Sequence, residues 1–210
     1  MKVAWVCYYP AHLLPDRPKL QDDLAHHPVP WVSLQAPLVA RTPDIELHII
    51  RVGRRYVADD HFVHDGIHFH FLRVPRLPRV LAAYQIDRLR IHRCLREIQP
   101  DLVHGFGTES SYSYAAVSSP FQSLLMIQGV QSEIVRALGS SRWRSPQLFL
   151  PMALERWTVR RCKDFVCETN FAAEFVRHLN PTANIHMLRT PVRHEFFPCN
   201  ENRHPLRLRS

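Results

Sequence analysis

Residues Pro100 to Tyr112 read P-D-L-V-H-G-F-G-T-E-S-S-Y, and the apolar pair Leu102-Val103 leads straight into His104, Gly105, Gly107, Thr108 and Glu109. An imidazole, a hydroxyl, a carboxylate and the phenol of Tyr112 in so short a run can hold and orient a ligand hydroxyl by hydrogen bonds. Leu102 and Val103 have the character of an inner parallel strand, and the carboxyl ends of such strands are where open α/β sheets bind ligands. Gly105 and Gly107 let the backbone turn. Thr108 is placed to cap the following helix, whose amino terminus adds amide donors and partial positive charge suited to a sugar hydroxyl or a phosphate. An ordinary strand-to-helix connection explains the same residues about as well.

Other chemistries find less support. His61-Phe62-Val63-His64-Asp65-Gly66-Ile67-His68-Phe69-His70 has the imidazoles of a zinc site, but no cysteine or carboxylate completes a ligand set at familiar spacing. Period-2 alternation puts Ile67, Phe69 and Phe71 on one strand face and His68 and His70 on the other, and Asp65-Gly66 is a turn signal. No metal is expected. A dinucleotide fold needs G-x-G-x-x-G after its first strand, yet that strand leads into Tyr8-Tyr9-Pro10-Ala11-His12 and no glycine precedes Gly53. Phosphate-loop and nucleophile-elbow sequences are absent, as is an Asp-x-Asp pair.

These groups must be positioned by a scaffold, and the apolar pattern supplies one. Strand-length runs recur at 2–7, 45–51, 67–72, 101–104, 123–128, 164–168 and 184–188, with helix-like stretches between several of them. This rhythm predicts a single Rossmann-like, doubly wound, mainly parallel α/β sheet with helices on both faces. From Tyr84 to Ile98 a helix presents Leu89, Ile91, Leu95 and Ile98 inward, and Pro100 ends it. A second helix enters at His27-Pro28-Val29-Pro30-Trp31, carries Trp31, Leu34 and Leu38 inward, and is kinked or shortened at Pro37. A third spans Met152–Cys162, with Leu154, Trp157 and Val159 opposite Arg156, Arg160, Arg161 and Lys163.

The 210 residues are 46% apolar, enough for a real core, and carry a net charge of +8 that favours an acidic partner: a phosphate-bearing ligand, an anionic membrane surface or nucleic acid. The five cysteines form no C-x-x-C pair and read as reduced, mostly buried thiols of a cytoplasmic protein. The opening M-K-V-A-W-V-C-Y-Y-P reads as a first strand and not a signal peptide, and no run approaches the roughly 20 apolar residues of a membrane span.

The order of these pieces resembles the amino-terminal, acceptor-side domain of GT-B glycosyltransferases of the family 4 type. Pro100-Asp101-Leu102-Val103-His104-Gly105-Phe106-Gly107 resembles that family's P-D-V-V-H-x-H-G strand end, with Phe106 where a second histidine is common. Met126-Ile127-Gln128-Gly129 is similar to the next strand end. Leu154-Glu155-Arg156 through Asp164-Phe165-Val166-Cys167-Glu168-Thr169 resembles the helix and strand read as E…A-D-x-V-x-x-x-S. Thr190-Pro191-Val192-Arg193-His194-Glu195-Phe196-Phe197 stands where N-G-V-D…F closes the first domain.

The resemblance implies residues 1–198 as an acceptor domain and 199–210 as a polar basic tail. It implies His104, Gly105, Gly107, Thr108, Glu109, Tyr112, Gln128 and Gly129 as acceptor-binding residues, a sugar or glycolipid as acceptor, and metal-independent transfer from a nucleotide sugar. Gln128 stands where a histidine is common, so the catalytic residues stay unassigned. The donor-binding domain is expected elsewhere, because no two glutamates of this chain stand eight residues apart as they do in the family's donor half. No cofactor is expected in the chain, which alone would be inactive or nearly so; a separately encoded donor domain and a peripheral contact with an anionic membrane are compatible with this reading. The alternative is a non-catalytic module whose basic surface, Arg142, Trp143, Arg144 and the helix after Arg156, recognises anionic glycan, lipid headgroup or nucleic acid, although no specific nucleic-acid partner is expected.

Overall fold

Eight strands pair into one sheet of order β3-β4-β2-β1-β5-β6-β7-β8. The computed structural model describes residues 1–14, 29–75, 83–108, 111–137 and 146–189. The strands are β1 (Lys2–Val6), β2 (Glu46–Gly53), β3 (Asp60–His64), β4 (Ile67–Arg73), β5 (Leu102–Phe106), β6 (Ser123–Ile127), β7 (Asp164–Cys167) and β8 (Asn184–Met187). Every ladder is parallel except β3–β4. The helices are α1 (Pro30–Ser33), α2 (Ala36–Ala40), α3 (Gln85–Ile98), α4 (Ser111–Val117), α5 (Gln131–Ala137), α6 (Pro146–Arg161) and α7 (Asn170–Leu179). The expected α/β class and the seven expected strands are all present.

β3 is the addition. Its D-H-F-V-H alternates half-buried and exposed residues at the sheet edge, too polar a run to stand out as a strand. Asp65 and Gly66, at φ 49° and 77°, make the tight turn that pairs it with β4.

Two cores lie on the two faces of the sheet. One gathers Ala4, Val6, Ile50, Val103, Leu125, Phe165 and Cys167 under Ile91, Leu95, Tyr112, Ala116, Val159 and Val176 from α3, α4, α6 and α7. The other gathers Trp5, Leu47, Ile49, Phe69, Phe71, Phe106, Met126 and Val166 with Val32 and Ala36 from α1 and α2. Because inner parallel strands are covered on both faces, β1 and β5 read as near-continuous apolar runs.

Three expectations change in register. α3 buries Asp87, Ile91, His92, Cys94, Leu95 and Ile98, whereas Leu89 is 58% exposed. Position 89 lies about 200° around the helix from 91, outside the stripe. The second helix is two short ones: Pro37 stands in the first turn of α2, where its missing N–H costs nothing, so it starts a helix instead of kinking one. Val32 and Ala36 are buried there and Leu38 is exposed. α6 starts earlier than expected, at Pro146, and its one fully enclosed charged residue is Glu155.

Cys7, Cys94, Cys162 and Cys167 are buried free thiols. Desolvation raises all four, Cys94 to about 12 and Cys167 to about 11. Among the described residues no helix is long and apolar enough to cross a membrane.

Candidate functional site

Strand order reverses between β1 and β5: one half of the sheet grows outward from β1 through β2, the other from β5 through β8. The carboxyl ends of these two strands splay their loops apart there, which makes the crevice in which such sheets bind ligands. The loop after β1 carries Tyr8, Tyr9 and Pro10, and the loop after β5 carries Gly107 and Thr108.

Arg51 of β2 braces the first loop. It is 1% exposed, donates to the Tyr9 carbonyl, and lies 4.0 Å over the Tyr8 ring. Burial raises the Tyr9 phenol to about 12, with Cys7 and Asp65 contributing.

The second loop is built by two glycines and an internal carboxyl group. Gly107 sits at φ 73°, a left-handed turn that a side chain would strain, and Ser113 donates to its carbonyl. At Gly105 a Cβ would meet Leu125 Cδ2 at 2.8 Å, Ala116 Cβ at 3.0 Å and the Ser113 Cα at 3.1 Å. α4 therefore packs on the backbone of β5 itself. The Thr108 Oγ1 reaches Glu155 Oε1 at 2.5 Å and the Gly129 carbonyl at 3.2 Å, while the two residues that lead from it into α4 lie outside the described ones. A hydroxyl has one proton, and the shorter contact is the one it donates to. Glu155 also accepts from the backbone N–H of Gln131 at 2.7 Å and of Ser132 at 3.0 Å. One side chain of α6 thus ties the end of β5 to the start of α5.

Of the residues expected at the site, Thr108, Gln128 and Gly129 come together at the ends of β5 and β6. Gln128 is half-buried, and its amide contacts Met126 Sδ at 3.9 Å. His104 lies mid-strand, paired with Trp5 and Leu124, its ring edge-on to Trp5 at 5.8 Å and tilted against Phe106 at 4.2 Å. Burial lowers it to about 3, and its Nε2 has no hydrogen-bond partner among the described residues. Tyr112 is in the opposite core, its hydroxyl 3.4 Å from the Val52 carbonyl. Glu109, Arg142, Trp143, Arg144, the 190–197 motif and the 199–210 tail lie outside the described residues. Arg156 and Arg160 are exposed, and Arg161 stacks 4.4 Å over the Trp157 ring.

The histidine-rich stretch forms a chain and not a convergent cluster. His48 donates through Nε2 to Glu46 at 2.9 Å, its Nδ1 lies 3.0 Å from His70 Nε2, and His70 Nδ1 lies 2.9 Å from His61 Nδ1. The two nitrogens of His70 face different imidazoles, and among the described residues no three such groups could hold one metal ion.

Arg51 escapes the sequence reading, and Glu155 and Glu168 enter it only as letters of the resembled helix-and-strand motif, with no role at the site. Arg51 is a cation inside an apolar strand, Glu155 a carboxyl in an amphipathic helix, and Glu168 a carboxyl closing the run D-F-V-C. In each the signal is a charge where the pattern calls for an apolar or solvated residue, a signal without a direction until the neighbours are known.

No protein-family model and no curated protein matches the sequence. Solved structures do match. Sucrose-phosphate synthase (tll1590) from Thermosynechococcus elongatus aligns with TM-score 0.63 at 7% identity, over 92% of this chain and 49% of that one. A structure titled trehalose-6-phosphate from E. coli bound with UDP-2-fluoro glucose aligns with TM-score 0.52 at 6% identity, over 93% and 50%. Glycyrrhiza uralensis UGT73P12, complexed with glycyrrhetinic acid 3-O-monoglucuronide, aligns with TM-score 0.51 at 14% identity, over 90% and 48%. The chain spans about half the length of these three. At such identities the likeness shows the fold alone: an α/β, Rossmann-like unit that matches about half of each of these chains.

Proposed function

We propose that this chain forms the acceptor-side wall of a family 4-type GT-B glycosyltransferase, corresponding to that fold's amino-terminal half. The observation that carries the reading is the match of 92% of the chain to 49% of a sucrose-phosphate synthase. The strand-end architecture supports it: Thr108, Gln128 and Gly129 gather at the carboxyl edge, and Glu155 fixes the loops that present them.

Binding and orientation are what these residues can supply. Gln128 can hold an acceptor hydroxyl in line with an anomeric carbon, but a carboxamide exchanges no proton near neutral pH. His104 is neutral, buried and packed between aromatic rings. Neither Gln128 nor His104 takes the acceptor's proton, and the nucleotide-sugar donor and a second α/β domain of the cleft are natural sources of the group that does. The acceptor is a sugar or a glycolipid; a cytoplasmic location, with or without a peripheral contact with anionic membrane, belongs to the same proposal.

The test is transfer and hydrolysis from a panel of nucleotide sugars, with and without a candidate donor-binding domain. We expect background rates from the chain alone and turnover on adding the second domain. Robust turnover by the chain alone would refute the half-cleft reading, and failure of every neutral sugar and sugar phosphate to bind the chain would refute the acceptor role.

A further inference from the structure

Edge strand β3 is held to the sheet by more than its backbone ladder. Across the β3–β4 pairing His61 stands directly opposite His70, and across the β4–β2 pairing His68 stands opposite His48. On β4 the two histidines alternate with Ile67, Phe69 and Phe71, so the imidazoles take the sheet face turned away from that core. His61 and His70 meet edge to face at 5.1 Å, and His48 is stacked on His68 at 4.7 Å and on His70 at 5.2 Å. Three contacts thread the set, from His61 through His70 and His48 to Glu46.

Hydrogen counting gives this thread a direction. A carboxylate only accepts, so His48 donates to Glu46 through Nε2, and in the neutral ring its Nδ1 accepts. His70 therefore donates through Nε2 and accepts at Nδ1, which makes His61 Nδ1 the donor at the outer end. Three hydrogens then fill the three contacts, and all three rings are neutral. A fourth is housed on His61 Nε2, or passed inward by shifting each hydrogen along its bond, with every contact kept. A fifth on the imidazoles has no such place, because it sets N–H against N–H at one of the two ring-to-ring contacts.

The surroundings oppose that extra charge. Burial, followed by His48, His61 and His68, lowers His70 to about 4, so the groups acting on it are all imidazoles. Burial also lowers His48, with His68 and Lys2 adding to it against Glu46. At the outer end Asp59 acts with His61, but it also accepts from the Arg73 N–H at 2.8 Å and pairs with Arg90 of α3. Like charges directly opposite each other on paired strands weaken the pairing. β3 is the element placed to yield, since it stands at the end of the sheet order and none of its five residues is fully buried.

We propose that His61, His70 and His48, anchored on Glu46, form a pH-sensitive latch on β3, closed while the three imidazoles share three or four hydrogens and released when acid adds a fifth. Release separates His61 from His70 and Phe62 from Phe69, rings stacked at 5.2 Å in the closed form, and uncovers the outer edge of β4. The released strand takes up protons near the ordinary value of about 6.5 that the latched form refuses, so the latch is fully held above that pH and loosens as pH falls toward 4. This device is independent of the acceptor reading.

Nitrogen NMR of the imidazoles and amide hydrogen exchange, both on the full chain, test the latch. At pH 7.5 we expect His48 and His70 as Nε2–H tautomers and His61 as the Nδ1–H tautomer, and any other set overturns the directed chain whether or not a variant folds. Between pH 7.5 and 5.5 the protection of the β3 amides, corrected for the intrinsic pH dependence of exchange, should fall about tenfold in wild type. It should fall equally in His104→Leu and stay constant in His70→Gln. Constant protection in wild type, or a fall as steep in His70→Gln, overturns the latch. A fall that vanishes in His104→Leu overturns it as well, because it then reports the loss of stability of the whole domain.

Discussion

Glu155 on α6 accepts the hydroxyl of Thr108 at the end of β5 across 2.5 Å, and the same side chain closes the first turn of α5. Two loops that must face a common ligand are thereby referred to one fixed atom group inside the protein. Removing the side chain strands two backbone donors and a hydroxyl in a site 1% exposed. Glu155→Ala should cost about 3 kcal/mol and Thr108→Val about 1 kcal/mol. Their double variant should lose less than the sum, because the shared bond is counted in both single losses. Urea unfolding of the four proteins measures this, and strict additivity would show that the two residues do not share a bond.

Gly105 gives a second handle. A methyl group there meets α4 backbone at 3.1 Å and Leu125 at 2.8 Å, and backbone cannot swing aside as a side-chain tip can. Gly105→Ala should destabilise by about 1–3 kcal/mol through overpacking. Unfolding midpoints check it; a neutral substitution would mean that α4 does not rest on β5 as described.

Four imidazoles shape the acid limb of stability, His70 and His104 most strongly, with burial lowering His48 and His92 as well. Desolvation and then His48, His61 and His68 lower His70 to about 4, and burial lowers His104 to about 3. The unfolded chain takes up these protons near the ordinary value of about 6.5 while the folded chain refuses them, so stability is full above that pH and declines as pH falls toward 4. The loss for both together should be about 2–4 kcal/mol after allowance for the partial exposure of His70. Denaturant unfolding between pH 7 and 4.5 should show that slope, and His104→Leu should flatten it. Parallel profiles for wild type and variant would contradict the assignment to His104.

Thiol chemistry offers a fourth check. Cys7, Cys94, Cys162 and Cys167 are buried, with desolvation holding each in its thiol form. A Cys199→Ser variant should therefore show no fast reaction with a thiol reagent in the folded state and four equivalents in denaturant. Fast labelling of the native variant would show that one of the four is accessible.

Much of this scaffold is legible in the sequence because inner parallel strands must be apolar on both faces: Val3 to Val6, Leu47 to Ile50 and Leu124 to Ile127 announce themselves. β3 does not, since an edge strand buries only alternate residues and Asp60, His61 and His64 dilute the signal. At the site the sequence marks where the loop turns, at Gly107, but not what holds it. Local rules read Thr108 only against the helix that follows it and say nothing of its bond to Glu155, a contact that depends on how α6 crosses the sheet. His104 reads as a site residue by adjacency to the glycines, yet strand alternation and the end of β5 at Phe106 put it inside. Burial of a single charge, as at Arg51 and Glu168, is a tertiary fact with no sequence period behind it.

The reversal of strand order described above also says something about how the molecule assembles. β5 through β8 pair each strand with the next one in the chain, and β1 through β4 pair among themselves, so residues 2–73 and 102–187 are half-sheets with contacts of modest sequence separation. They meet along a single ladder in which Val3 lies beside Leu102 and Val6 beside Gly105. Closing that long loop is the slowest kind of contact to form. The seam between the half-sheets is therefore the ladder of the sheet with the largest loop-closure cost, and the crevice opens beside it.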